Sequence, residues 1–118
     1  MAATFDHVHL RVSDLAASRQ FYAAAAEALE LGPVEDGAGW FSLGDLFVSD
    51  DGPPTTNLHV AFPATDRSGV ARFHTAALAA GGRDNGAPGP RPVYHAGYYA
   101  AYVLDPDGTN VEAVVQER

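Results

Sequence analysis

His7, His59 and Glu112 are the three side chains of this sequence best suited to hold a divalent cation. Two imidazoles and one carboxylate leave coordination positions open for water or substrate, and nitrogen and oxygen donors accept most first-row divalent ions. The two histidines are related by a repeat. A shift of 52 positions puts His7 on His59, Val8 on Val60, Leu10 on Phe62, Asp14 on Asp66 and Phe21 on Phe73. The same shift puts Ser13 on Thr65, and Ala24, Ala25 and Ala28 on Ala76, Ala77 and Ala80. Self-similarity at a fixed offset marks two copies of one supersecondary unit. If the copies pack about a pseudo-twofold axis, equivalent histidines meet at one centre.

The elements that must position these residues are legible in the hydrophobic pattern. Residues 5–12 alternate, with Val8, Leu10 and Val12 on one face and His7, His9 and Arg11 on the other, which describes a half-buried strand. Ser13 and Asp14 offer N-cap chemistry to a helix running to about Leu29, striped by Leu15, Tyr22, Ala25 and Leu29 and stopped by Gly32-Pro33. Three short strands are expected between Val34 and Asp50, with turns at Gly37–Gly39 and Gly44-Asp45. The second copy repeats the strand at Leu58–Phe62, with His59 opposite the aliphatic set. Thr65 and Asp66 cap its helix, which runs to about Ala80 before Gly81-Gly82. Residues 83–97, rich in Gly and Pro, predict a long loop with at most one short strand. Tyr98–Leu104 and Val111–Val115 are strands flanking the Asp105-Pro106-Asp107-Gly108 turn. In the last strand Val111, Ala113 and Val115 are the apolar set, so Glu112 shares the face of the two histidines.

The whole reads βαβββ twice, an α+β pattern with mostly antiparallel strands and helices on one face. At 118 residues and 47% hydrophobic content, one domain can bury a real core. Module one covers about 4–50, a polar linker 51–56 and module two about 57–117. Neither half is large enough to be comfortable alone. Seven basic against fifteen acidic residues, net −8, argue against nucleic acid and anionic membranes as partners. The absence of cysteine excludes disulfides and thiolate metal sites. No signal peptide and no apolar run of membrane-spanning length are seen, so a cytoplasmic protein is expected.

His7–Leu15, His59–Phe62 and Asp105–Glu112 resemble the signature segments of the vicinal oxygen chelate superfamily. That superfamily holds glyoxalase I, bleomycin and fosfomycin resistance proteins and extradiol dioxygenases. The resemblance implies two modules forming a cup around one metal ion held by His7, His59 and Glu112, usually in a homodimer, with a small-molecule substrate. Iron, manganese, zinc or nickel would suit the donors. Glyoxalase I has a fourth ligand, a glutamate on the fourth strand; Leu46-Phe47-Val48-Ser49 has no carboxylate. In the dioxygenases a tyrosine lies ten positions before the ligand glutamate, and Tyr102 stands at that spacing before Glu112. Their further histidine upstream of the second ligand has no match, because no histidine lies between His9 and His59.

The expectation is thus a metal-dependent, glyoxalase-like lyase or isomerase, with ring-cleaving dioxygenase and metal-free drug-binding protein as rivals. Tyr102 and His95 are the candidates for catalysis, although His95 suits an exposed loop equally well. His9, Arg11, Tyr99 and Trp40 are the candidates for substrate contact. Each has an ordinary structural alternative: a salt bridge for Arg11, core packing for Tyr99 and Trp40. His74, matching Tyr22, is expected to pack or lie on the surface.

Overall fold

A computed structural model describes residues 4–118. Module one comprises β1 (Val8–Arg11), α1 (Leu15–Ala28), β2 (Glu35–Gly37), β3 (Trp40–Leu43) and β4 (Leu46–Ser49). Module two comprises β5 (His59–Pro63), α2 (Arg67–Ala79), β6 (Arg83–Pro90), β7 (Tyr98–Leu104) and β8 (Asn110–Gln116). The strands form two four-stranded sheets, ordered β1-β4-β3-β2 and β5-β8-β7-β6. In each, the first strand pairs in parallel with the last, and the other pairings are antiparallel. A strand, a crossover helix and a three-stranded meander thus return the chain beside its starting strand, twice.

Local chemistry explains the element ends. Asp14 and Asp66, not the preceding hydroxyls, are the N-caps. Their carboxylates accept from Ala17 N at 3.0 Å and Gly69 N at 2.8 Å. The apolar faces meet as the alternation requires. Leu10, Val12, Phe21, Tyr22, Phe41, Val48, Val70, Phe73, Val103 and Val111 are all buried. Each large side chain so removed from water is worth about 2–3 kcal/mol before entropy is charged against it. Val8, expected with this set, is 37% exposed because it starts an edge strand.

One segment departs from expectation. Arg83–Pro90 is an eight-residue strand, where the Gly- and Pro-rich sequence predicts a long loop with at most one short strand. Gly86, Pro88 and Gly89 fall at register shifts, between Asp84 and Gly86 and between Gly86 and Gly89, and Pro90 ends the strand, the outermost of its sheet. Bulges and edge positions are where a sheet tolerates those residue types. The turn that follows ends at Gly97, whose φ of +92° and close approach to the Glu117 carbonyl leave no room for a Cβ.

The Asp105-Pro106-Asp107-Gly108 turn locks the modules together. Asp105, 1% exposed, accepts from Asp107 N and Thr109 N, both at 2.9 Å, and from the Tyr22 hydroxyl of α1 at 2.6 Å. Burial, with the Asp105 charge beside it, pushes the Tyr22 phenol well above its usual range, so it stays a donor. Asp107 in turn accepts from Ser13 N and Ser13 Oγ. The most distinctive stretch of the sequence is therefore structural.

Candidate functional site

The sheet registers make the module equivalence explicit. His9 of β1 pairs with Phe47 of β4, which pairs with Ser42 of β3. Ala61, 52 positions after His9, pairs with Glu112 of β8, which pairs with Tyr102 of β7. Phe47 and Glu112 thus occupy one position of the repeat, as do Ser42 and Tyr102, and Ser49 and Val114.

On module two, His59 Nε2 and Glu112 Oε1 lie 2.8 Å apart. The His59 side chain is half exposed at the start of an edge strand, whereas Glu112 is 2% exposed. The Tyr98 hydroxyl donates to the other carboxylate oxygen, Oε2. Burial, then the Glu112 carboxylate, drives the Tyr98 phenol far up from its ordinary value. Tyr102 is pushed up to about 12, by burial first and the Glu112 charge second. Both phenols are therefore donors at any ordinary pH. Tyr102 lies 6.1 Å from the His59 ring, centroid to centroid. Its hydroxyl is one of two buried side-chain oxygens without a partner among the described residues, the other being Ser18 Oγ.

On module one, a cleft of about 470 Å³ is lined by Asp6, His7, His9, Ser42, Gly44, Asp45 and Phe47. His9 stands edge-on to Phe47 at 4.9 Å, and Phe47 leans on Trp40 at 5.3 Å. The Trp40 indole lies over Gly37, where any Cβ would collide with it. Arg11, a candidate for substrate contact, makes the salt bridge that was its alternative, from Nε to Asp51 Oδ1 at 2.9 Å. A second cleft, about 450 Å³, lies between the leading strands of the two modules; Val8, Leu58 and His59 are among its walls.

The three proposed ligands are not all brought together. His7 is 62% exposed and bonds Asp6 at 2.8 Å. Among the described residues, no three of His, Cys, Asp and Glu stand where one ion could join them. The His59–Glu112 pair nevertheless fits a metal. Two donors about 2.1 Å from one ion, at roughly a right angle, are about 3 Å apart. Two of the three candidate donors therefore stand side by side within the chain.

Tyr99 faces away from this floor. It has the parity of buried Ala101 and Val103, packs on the core and carries the Arg67 guanidinium over its ring at 4.6 Å. Its neighbour Tyr98 takes the place on the floor, a swap of one position that alternation fixes once Glu112 is placed. His95 bonds the Ala96 carbonyl at 2.7 Å and Gln116 Oε1 at 3.1 Å, and touches Tyr98 edge-on. It reaches the carboxylate only through that tyrosine. His74 bonds Asp84 at 3.0 Å, as a packing residue does. Sequence reasoning missed Ser49 and Asp51, the last because it sits in the linker.

The profile of the Glyoxalase/Bleomycin resistance protein/Dioxygenase superfamily matches residues 4–113. The chain belongs to this superfamily. Solved relatives agree with that membership. A glyoxalase/bleomycin resistance protein from Albidiferax ferrireducens is 29% identical over 95% of this chain and 98% of that one, with a TM-score of 0.83. A glyoxalase-related enzyme from Fulvimarina pelagi shares the fold at 23% identity, over 96% of this chain and 88% of that one, TM-score 0.70. A glyoxalase I variant from Zea mays is 25% identical over 92% of this chain and 45% of its own length, TM-score 0.61. No protein of curated function matches the chain. No helix among the described residues is long and apolar enough to cross a membrane.

Proposed function

We propose that this superfamily member is a divalent-metal-dependent enzyme acting on a small oxygenated molecule. His59 and Glu112 of one chain and His7 of a second copy hold the ion. The observation that carries this reading is the contact of His59 Nε2 with a buried carboxylate whose second oxygen is taken by Tyr98. When bound, the ion supplies Lewis-acid polarisation of the oxygens of the substrate. The residues of the chain do the rest. Tyr98 holds Glu112 in one orientation, with Oε1 turned to His59, the outer-shell role that hydrogen-bond partners of ligands commonly play. Glyoxalase-like lyase or isomerase chemistry, in which enolate-like charge develops on the substrate, suits this arrangement.

Divalent-ion affinity measured by calorimetry tests it. Glu112→Ala should remove binding, while Tyr98→Phe should cost about 10–100-fold. Unchanged affinity in Glu112→Ala would overturn the assignment. Sharing across two copies has its own test. His7→Ala and Glu112→Ala chains, each inactive alone, should regain metal binding when mixed, because a hybrid dimer contains one complete site. Ring-cleaving oxygenation is a second reading, favoured by the unpartnered hydroxyl of Tyr102. Ferrous iron in the purified protein and oxygen uptake with catechols would select it over nickel, zinc or manganese with thiohemiacetal turnover.

A further inference from the structure

Module one carries a chain of hydrogen bonds that has no counterpart in module two. Asp51 Oδ1 accepts from Arg11 Nε at 2.9 Å and from Ser49 Oγ at 2.8 Å. These two bonds, Ser49 first, hold the Asp51 carboxyl below its usual range, so it is an acceptor only. Ser49 has one proton, and Asp51 takes it. Towards His9 Nε2, 2.7 Å away, the Ser49 oxygen therefore presents a lone pair. Neutral His9 must carry its hydrogen on Nε2, which leaves Nδ1 as a bare acceptor. Ser49 is 3% exposed, so its hydroxyl is shielded from water, while the Asp51 side chain that fixes it is 63% exposed. Beside His9 lies the ring of Phe47, which leans on Trp40, and His9 and Phe47 line one cleft with Ser42.

We propose that this floor is a recognition subsite for a planar ligand bearing a hydroxyl or N–H donor. His9 Nδ1 accepts the donor, and Ser49 and Asp51 are the positioning residues that set its tautomer. The subsite rests on the reading that the module floors bind a small molecule, but not on the metal. It narrows the substrate to compounds that can lie on Phe47, backed by Trp40, while donating one hydrogen bond.

The test uses chelator-treated protein at pH 8, with phenol as probe and anisole, its methyl ether, as the donor-free control. Occupancy is read from the emission of Trp40, the single tryptophan. The tautomer is read from long-range proton–nitrogen NMR correlations of His9. Free protein should show the Nε2–H form. Phenol should shift Nδ1 and bind about fivefold to tenfold better than anisole, the worth of one hydrogen bond. Ser49→Ala should erase that preference and mix the tautomers, while Ser49→Thr should keep both. Asp51→Asn can donate to Ser49, which reverses the hydroxyl and should move the proton to Nδ1. An Nδ1–H form in the wild type, equal binding of the two probes, or an unaltered preference in Ser49→Ala would each overturn the proposal. Glu112→Ala should bind phenol as the wild type does. Loss of the preference there but not in Ser49→Ala would place the contact on module two and overturn it. Failure of metal binding alone leaves these outcomes untouched.

Discussion

The two modules are built alike and floored differently. Each has an aspartate-capped helix, a leading strand paired in parallel with a closing strand, and a histidine ahead of or at the start of that leading strand. On the inward positions, module one carries His9, Arg11, Trp40, Ser42, Phe47 and Ser49. At the same places module two carries Ala61, Pro63, Ala100, Tyr102, Glu112 and Val114. One floor is aromatic with an imidazole acceptor; the other is small and apolar around one carboxylate and its phenols. The scaffold positions face the core, where apolar packing constrains both copies equally. Floor positions face away from that core and differ between the copies. On the proposed function, this difference sets an ion-binding half against a ligand-shaping half.

The strongest way to break the comparison is to cut the tie between the halves. Asp105→Ala removes the acceptor of Tyr22 and of two backbone donors at a buried site. It should cost about 3 kcal/mol, since buried donors left unpaired cost about 1–3 kcal/mol each. Chemical denaturation reads the loss. Tyr22→Phe, which removes one bond only, should cost less than half as much. No cost in Tyr22→Phe beside a full loss in Asp105→Ala would mean that the turn holds itself and not the modules.

Phe47→Glu sharpens the comparison by erasing its main difference. A carboxylate at the position equivalent to Glu112 restores a symmetric pair of donors. Divalent affinity should tighten by about tenfold, or about 1.4 kcal/mol. Loss of the Phe47 contacts with His9 and Trp40 should cost about 1–2 kcal/mol of stability. Affinity that is unmoved in a folded variant would show that the two positions do not approach a common centre.

The fold was readable because its signals are local. The period-two strands and the Asp14 and Asp66 caps each depend on neighbours within a few residues, and the offset of 52 shows those local patterns twice. Parity alone also put His59 and Glu112 on one face, and the structure places them 2.8 Å apart. Less was legible where the outcome depends on residues far apart in the chain. Asp51 reads as linker, yet it reaches Arg11, 40 positions earlier. Tyr98 and Tyr99 have the same composition signal, and only the register with Glu112 distinguishes them. The strand at Arg83–Pro90 was hidden because Gly and Pro argue against strands in general, and an outer, bulged strand is the exception. Whether His7 joins the pair is a matter between elements that no local pattern encodes.

If the scaffolds are truly equal, their caps should be worth the same. Asp14→Ala and Asp66→Ala each remove one carboxylate bond to the first turn of a helix, and each should cost about 1 kcal/mol. A cost concentrated in one of them would show that one module carries the stability of both.

The smallest effect comes from a matched pair of surface clamps. Arg19 of α1 holds Asp36 of β2 through two bonds, at 2.6 and 2.8 Å, and Arg67 of α2 holds Glu117 just beyond β8. Each carboxyl sits below its ordinary value, through its hydrogen bond to the arginine first. A carboxyl depressed in the folded state binds protons more readily when unfolded. Its contribution is present above its unfolded value, near 3.8 for Asp36 and 4.5 for Glu117, and is lost as pH falls through the folded one. Melting temperature should therefore drop less between pH 6 and pH 3 in Asp36→Asn or Glu117→Gln than in the wild type. Both groups are exposed, so the differences should be slight and should fade in 1 M salt, where the screening length is about 3 Å. A large acid effect in one clamp only would make that module, not the interface of the pair, the first to open in acid.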